Sequence, residues 1–290
     1  MKNREDREIA GLAVRSLLLE ASLAPKPGLV TPYDNGSHKD MNFKTFVDSA
    51  LALAPCFENC AAIGRALASS SPETALPSLK EAGLEGERLM FRATGGVNTH
   101  KGAIYLLGFL CAAAGRFAAT RQLPSPRELT RTATAFVRGA VERELAPLRS
   151  SARPARTAGE RAYLAHGLTG ARGEVDEGYP LLSKTLSFLG CLPPMSLKNT
   201  LTDAFFYIVS RNGDTNLYAR GGIEGLRTAR ALAGEVLRSG GTRTPAGWKK
   251  IRFAERVFVE KNLSPGGSAD ILSSVIFTLC GFTFSRTPSA

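Results

Sequence analysis

Gly95-Gly96-Val97-Asn98-Thr99-His100-Lys101-Gly102 runs directly into Ala103-Ile104-Tyr105-Leu106-Leu107-Gly108-Phe109-Leu110, a polar octapeptide opening an apolar segment. Two glycines free the backbone, Asn98 or Thr99 can cap a helix, and His100 and Lys101 fall in its first turn. The apolar run reads as helix over 100–118. A helix N-terminus presents unpaired N–H groups and a partial positive charge, which suits phosphate. A histidine and a lysine at such an end are electrostatically unfavourable without a negative neighbour, so an anion is expected there.

Helical periodicity extends in both directions from this stretch. Over 6–23, Ile9, Ala13 and Leu17 share a face, Val14 and Leu18 adjoin it, and Pro25 and Pro27 end the run. Residues 43–67, 80–92, 126–148, 179–190, 197–211, 221–238, 246–260 and 268–283 also read as helices, and no segment alternates as a strand does. Loops are expected at 69–78, 119–126, 150–158 and 239–246. None is long enough for an interdomain linker, and no fixed-period repeat is visible. The predicted fold is all-α: one compact multi-helix domain over 1–290, with glycine-rich loops at its active site.

With 43% hydrophobic and 22% charged residues, the composition is that of an ordinary globular protein. No uninterrupted apolar stretch of transmembrane length is read, and Met1-Lys2-Asn3-Arg4-Glu5 is too charged for a secretory leader. A cytoplasmic protein without membrane contact is expected. Cys56, Cys60, Cys111, Cys191 and Cys280 lack metal-like pairing and read as buried free thiols. The net charge is +11, from 37 basic against 26 acidic residues. The arginines are dispersed, without a basic block or an aromatic-interleaved basic strand, which argues against nucleic acid as partner.

Five polar islands interrupt the helices. They are Glu20 with Pro25-Lys26-Pro27-Gly28 through Asn35-Gly36-Ser37-His38-Lys39-Asp40-Met41; the opening octapeptide; His166-Gly167 through Glu174 to Tyr179-Pro180; Arg211-Asn212-Gly213-Asp214-Thr215-Asn216 through Arg220-Gly221-Gly222; and Asn262 through Ser264-Pro265-Gly266-Gly267-Ser268-Ala269-Asp270. All three histidines lie in them, without zinc-like spacing. Asp40, Glu174, Asp214 and Asp270 would suit Mg²⁺, a hard cation that shares phosphate oxygens. Asp40 and Asp214 read equally as helix caps, and Asp270 as an ordinary first-turn acid. There is no Walker A loop and no G-x-S-x-G elbow to make Ser268 a nucleophile. What is left is a set of glycine loops, cations and carboxylates able to clamp a metal-bound polyphosphate, with Lys26, Lys39, Lys101 and Arg220 on its oxygens.

Pro25-Lys26-Pro27-Gly28-Leu29-Val30, Gly36-Ser37-His38-Lys39-Asp40-Met41, Asn98-Thr99-His100-Lys101-Gly102, Asp214-Thr215-Asn216 with Arg220-Gly221-Gly222, and Ser264-Pro265-Gly266-Gly267-Ser268-Ala269-Asp270 resemble the triphosphoribosyl-dephospho-CoA synthase family in order over residues 20 to 280. Arg172-Gly173-Glu174-Val175 is a looser version of that family's arginine–glutamate–alanine run. The resemblance implies an all-helical pentosyltransferase. Its substrates are ATP and 3′-dephospho-CoA, and its products are 2′-(5″-triphosphoribosyl)-3′-dephospho-CoA and adenine. The product would pass to a holo-acyl-carrier-protein synthase, for the acyl carrier subunit of citrate lyase or malonate decarboxylase. Such chemistry asks for an acid/base pair, a carboxylate facing an oxocarbenium-like ribose, and a held triphosphate. Glu20, Asp40 and Glu174 are assigned the first two roles. Lys26, His38, Lys39, Asn98, His100, Lys101, Arg220, Gly266 and Gly267 are expected to bind ATP phosphates, and Asp214 and Asp270 to hold Mg²⁺. Asp214→Asn is expected to abolish adenine release while sparing the fold. The alternatives are a Mg²⁺-dependent N-glycosidic hydrolase acting on an ADP-ribosyl or nucleotide substrate, and a non-enzymatic anion-binding protein.

Overall fold

Half of the helices begin where a short polar side chain can answer a first-turn N–H. Asn3, Asn42, Ser125, Thr157, Ser196, Asp214 and Thr244 each accept such a bond from the helix that follows. The computed structural model describes residues 3–150 and 154–282, so 151–153 of the expected loop and residue 283 of the expected last helix lie outside it. The helices are α1 Arg4–Ser22, α2 Phe43–Ala52, α3 Ala54–Ala66, α4 Leu76–Ala93, α5 Lys101–Ala119, α6 Pro126–Ala135, α7 Ala140–Glu144, α8 Ala158–His166, α9 Gly170–Asp176, α10 Pro180–Gly190, α11 Leu197–Val209, α12 Thr215–Arg238, α13 Pro245–Glu260 and α14 Gly266–Phe282. Among the described residues there is no strand, and the all-α prediction holds.

Three expected boundaries move for local reasons. The 43–67 helix divides at Leu53, where Pro55 enters the first turn of α3. The 126–148 helix breaks at Gly139, whose φ of 78° no helix interior tolerates. Conversely, the glycine-rich 158–176 region forms two short helices, α8 and α9, separated by Gly167 and Gly170 at positive φ. Gly222 (φ 62°, ψ −163°) interrupts α12, which starts before the expected 221.

The opening segment is the centre of the fold. α5 packs against α3 most closely and also meets α1, α4, α6 and α14. The α3–α5 approach depends on missing side chains, because a Cβ on Gly64 would overlap the Ala112 carbonyl and one on Gly115 the Ala61 carbonyl. Leu106, Leu107 and Leu110 are fully buried, each contributing about 1.5–3 kcal/mol of transfer free energy. By length and mean hydropathy alone, 101–119 and 43–66 could cross a membrane, although charged residues interrupt both. The 101–119 helix is 67% buried within the protein, as an all-round apolar helix at the centre of a bundle must be.

One contiguous core joins residues from α1 to α14, with a small satellite of Leu145, Leu148 and Tyr163. All five cysteines are free; Cys56, Cys60 and Cys111 are buried, whereas Cys191 is exposed and Cys280 half-buried, against expectation. Packing α14 on α5 and α12 brings the loops that precede these three helices together.

Candidate active site

The anion expected at the N-terminus of α5 is supplied in part by the protein. The Ala103 N–H bonds Asp270, and Gly102 lies so close to that carboxylate that a Cβ there would overlap Oδ2. Asp270 keeps some exposed surface, yet protein atoms crowd its carboxylate. Burial, then the charges of Asp214 and Glu20, raise its pKa well above the usual carboxylate range. A proton, a cation or a hydrogen-bonding ligand would relieve that crowding.

Glu20, from the last turn of α1, accepts from Lys26 Nζ at 2.7 Å, and both side chains are almost wholly buried. Pairing is what makes two buried charges tolerable. His100, the residue preceding α5, is also buried, at 3% exposure. Burial and then the Lys26 charge push its pKa down to about 3, so the ring is neutral. Thr99 Oγ1 donates to Ser49 Oγ (2.7 Å), which bonds His100 Nδ1 (2.7 Å). When Ser49 gives its own proton to Nδ1, the ring proton sits on Nε2. Nε2 is one of three buried side-chain polar atoms among the described residues without a hydrogen-bond partner. An unanswered buried polar atom costs about 1–3 kcal/mol, which a bound ligand would recover.

Asp214 differs from Asp270. Its Oδ1 accepts from the Asn216 and Leu217 N–H groups, and Oδ2 from the N–H (2.7 Å) and hydroxyl (2.8 Å) of Ser268. It caps α12 and ties it to α14. Gly266 and Gly267 admit this tie, since Cβ atoms would lie 2.6 Å from Asn216 Nδ2 and 3.2 Å from Asp214 Oδ1 respectively. Asn212 Nδ2 donates to Ser268 Oγ, completing the corner. With four donors on two oxygens, Asp214 has little capacity left for a metal. Among the described residues no three His, Cys, Asp or Glu side chains form a cation cage. A Mg²⁺ ion here would have to rest on Asp270 and on ligand phosphate oxygens, a mode this ion uses, with Asp214 supporting from behind.

The 28–40 loop forms a second cluster. Arg220 donates to the Ser37 carbonyl (2.7 Å), Asn262 Oδ1 (2.9 Å) and His38 Nδ1 (3.0 Å). A guanidinium only donates, so the His38 proton sits on Nε2 and is given to Ser264 Oγ at 2.8 Å. Burial and the Arg220 charge lower the His38 pKa, while Asp40 at 3.6 Å opposes them. His38 is thus a neutral tie rather than a phosphate cation. Gly28, at φ 75°, lets this loop lie on the Leu263 carbonyl, which any Cβ would overlap.

The structure thus gathers Glu20, Lys26, His100, Asp214, Asp270, Gly266 and Gly267, with His38, Asp40 and Arg220 joined to them through the Ser264-Pro265-Gly266 segment. Other expected residues stand apart. Asn98 Oδ1 accepts from the Lys101 N–H (3.2 Å), and the Lys101 side chain turns to Glu87 (2.7 Å). Lys39 and Asp40 are exposed. Glu174 is buried where α9 meets α10, and its Oε1 accepts from the Leu181 and Leu182 N–H groups, both at 2.9 Å. Burial raises it to about 7 against those two bonds. His166 is exposed, with its ring edge on Tyr218. Thr99 and Asn212 take part without an expected site role, and Ser49 without having been singled out; Ser49 sits mid-helix with no local signal, and only the fold brings it to His100.

A family model described as CitG: ATP:dephospho-CoA triphosphoribosyl transferase matches residues 6–282. No solved structure matches the chain.

Proposed function

Because the chain belongs to the CitG family of ATP:dephospho-CoA triphosphoribosyl transferases, we propose that the pocket at the N-terminus of α5 is where the pentosyl group is transferred. The observation that carries this reading is the convergence of Glu20, Lys26, His100 and Asp270 at one helix end, with His100 Nε2 unpartnered and the Asp270 carboxylate crowded by Asp214 and Glu20. In the reaction the C1′–N9 bond of ATP breaks, and C1′ forms a bond to the 2′-hydroxyl oxygen of dephospho-CoA. The hydroxyl proton passes to a base, and adenine leaves after gaining a proton.

Glu20, fixed by Lys26, faces the positive charge that develops on the ribose. Neutral His100 offers Nε2–H to the departing base, a role that a phosphate ligand would not require of it. Mg²⁺, held by Asp270 and the triphosphate oxygens, would neutralise phosphate charge. The Gly266 and Gly267 N–H groups opening α14 and the exposed cation Lys39 would position the triphosphate rather than activate it, with Arg220 holding the His38 loop in place. We assign Asp40 to the pocket mouth and Glu174 to holding α9 against α10.

The whole chain acts as one cytoplasmic unit on this reading, and the buried free thiols fit a reducing compartment. Its product would go to a holo-acyl-carrier-protein synthase serving citrate lyase or malonate decarboxylase; gene neighbourhood separates the two. Chromatography of ATP with and without dephospho-CoA tests the reaction. Adenine and the triphosphoribosyl product in equal amounts, only with acceptor present, are expected. Adenine without acceptor means hydrolysis, and ADP or AMP overturns the proposal.

A further inference from the structure

A second concavity, of about 260 Å³, lies between α4 and α5 on the side of α5 that carries Lys101. Its floor is apolar: Leu79, Ile104, Tyr105 and Phe109, with Tyr105 and Phe109 in edge contact. Gly83 and Gly108 deepen it, and a Cβ on Gly83 would meet nothing within 4 Å. Three cations line it: Lys80 (2.7 Å) and Arg172 (3.1 Å) share the single carboxylate of Glu144, and Lys101 pairs with Glu87. One acid between two cations leaves positive charge in surplus beside an apolar trough. The groove starts at the first turn of α5, whose next residue, Gly102, backs onto Asp270.

We infer that this groove binds the pantetheine-diphosphate arm of the acceptor nucleotide. The inference rests on the reaction proposed above, and it separates the two substrates spatially. ATP must place C1′ by Glu20 and His100 and its triphosphate by Asp270. The acceptor must bring a ribose hydroxyl to the same point from another side, trailing a diphosphate and a long, uncharged amide chain. A trough with an apolar floor and a cationic rim matches that sequence of groups, and 260 Å³ suits an arm better than a whole nucleotide. Lys101 and Arg172 meet the diphosphate. Glu87 and Glu144 keep these cations extended over the groove when it is empty, so anion binding exchanges one partner for another. This also explains why Lys101 points away from the pocket that its neighbours line.

Gly83→Leu fills the trough without a backbone clash, and Leu favours helix over Gly, so folding is expected to survive. Calorimetric titration of Gly83→Leu with dephospho-CoA should show affinity weakened about tenfold or more, with ATP affinity unchanged. Arg172→Ala, on an exposed side chain, should weaken dephospho-CoA several-fold and less so at high salt. Wild-type affinity for dephospho-CoA in folded Gly83→Leu overturns the groove assignment while leaving the transfer reaction intact. Should Gly83→Leu fail to fold, unchanged acceptor affinity in Arg172→Ala overturns it alone. If the unaltered protein neither binds dephospho-CoA nor forms product, the reaction itself is wrong.

Discussion

The loop cluster around His38 and the pocket around His100 are built from the same residue types and end in opposite states. In the first, both ring nitrogens of His38 are bonded and Arg220 reaches three acceptors. In the second, His100 Nε2 has no partner and Asp270 carries a carboxyl that its surroundings resist ionising. The same contrast separates Asp214, with four donors, from Asp270, which accepts from the Ala103 N–H and is crowded by the Asp214 and Glu20 charges. Satisfied polar groups hold a fold; unsatisfied ones are stable only because the rest of the molecule supports them, and they await a ligand. By that criterion the His38 cluster is the frame and the His100 pocket is the working site.

The largest effect should come from Gly102→Ala, which drives a methyl group into Asp270. Turnover is expected to fall by about a thousandfold, the scale of losing a positioned charge in a closed site. Near-normal adenine release would break the contrast at its active side. Asp214→Ala should act on stability instead: loss of a cap costs about 1 kcal/mol, and stranding the Ser268 N–H adds about 1–3 kcal/mol. Denaturant unfolding measures this, and an unchanged midpoint would mean that Asp214 does not hold the corner. The contrast also recasts the expectation for Asp214→Asn, which should now weaken the α12–α14 tie as well as activity.

Glu174 offers a smaller, pH-dependent test. Its pKa of about 7 in the fold exceeds the ordinary value of about 4.3 in an unfolded chain, so between these values the folded state retains a proton that the unfolded state has lost. Stability therefore falls as pH rises from about 4.5 to 7, by roughly 3 kcal/mol at most. Glu174→Gln keeps an oxygen for Leu181 and Leu182 and should remove that decline, stabilising the protein at pH 8. A variant less stable than the parent at pH 8 would contradict this. His100 has the opposite sign: its lowered pKa removes stability as pH falls below about 6.5. Smallest of all, exposed Lys39→Ala should alter stability by less than about 0.5 kcal/mol, with any change confined to the KM for ATP.

Much of this was legible in the chain. The helical period of 103–110 placed the central helix, and short polar residues marked half of the N-termini. Asp270 and His100 could be nominated because they lie in glycine-bearing islands at helix starts. Their difference from Asp214 and His38 could not, since it depends on who donates to whom across 50 to more than 200 residues of chain. Ser49 illustrates the limit: inside an amphipathic helix it looks like any small core-facing residue, and it matters only because α2 meets the start of α5. In the other direction, the glycine-rich stretch from 158 to 176 was assigned no helix, although Gly167 and Gly170 only separate two short ones. Lys101 was expected on phosphate from its place beside His100, yet one residue along a helix rotates a side chain by about a quarter turn and onto another face.

The most direct test is Asp270→Asn assayed by chromatography at saturating ATP and dephospho-CoA, beside its thermal unfolding. Replacing a carboxyl that its surroundings resist ionising with a neutral amide should leave the melting temperature unchanged or raised, while adenine and triphosphoribosyl product fall by about a hundredfold or more. A variant that melts normally and still forms both products at the parent rate would contradict the placement of the reaction at this helix end.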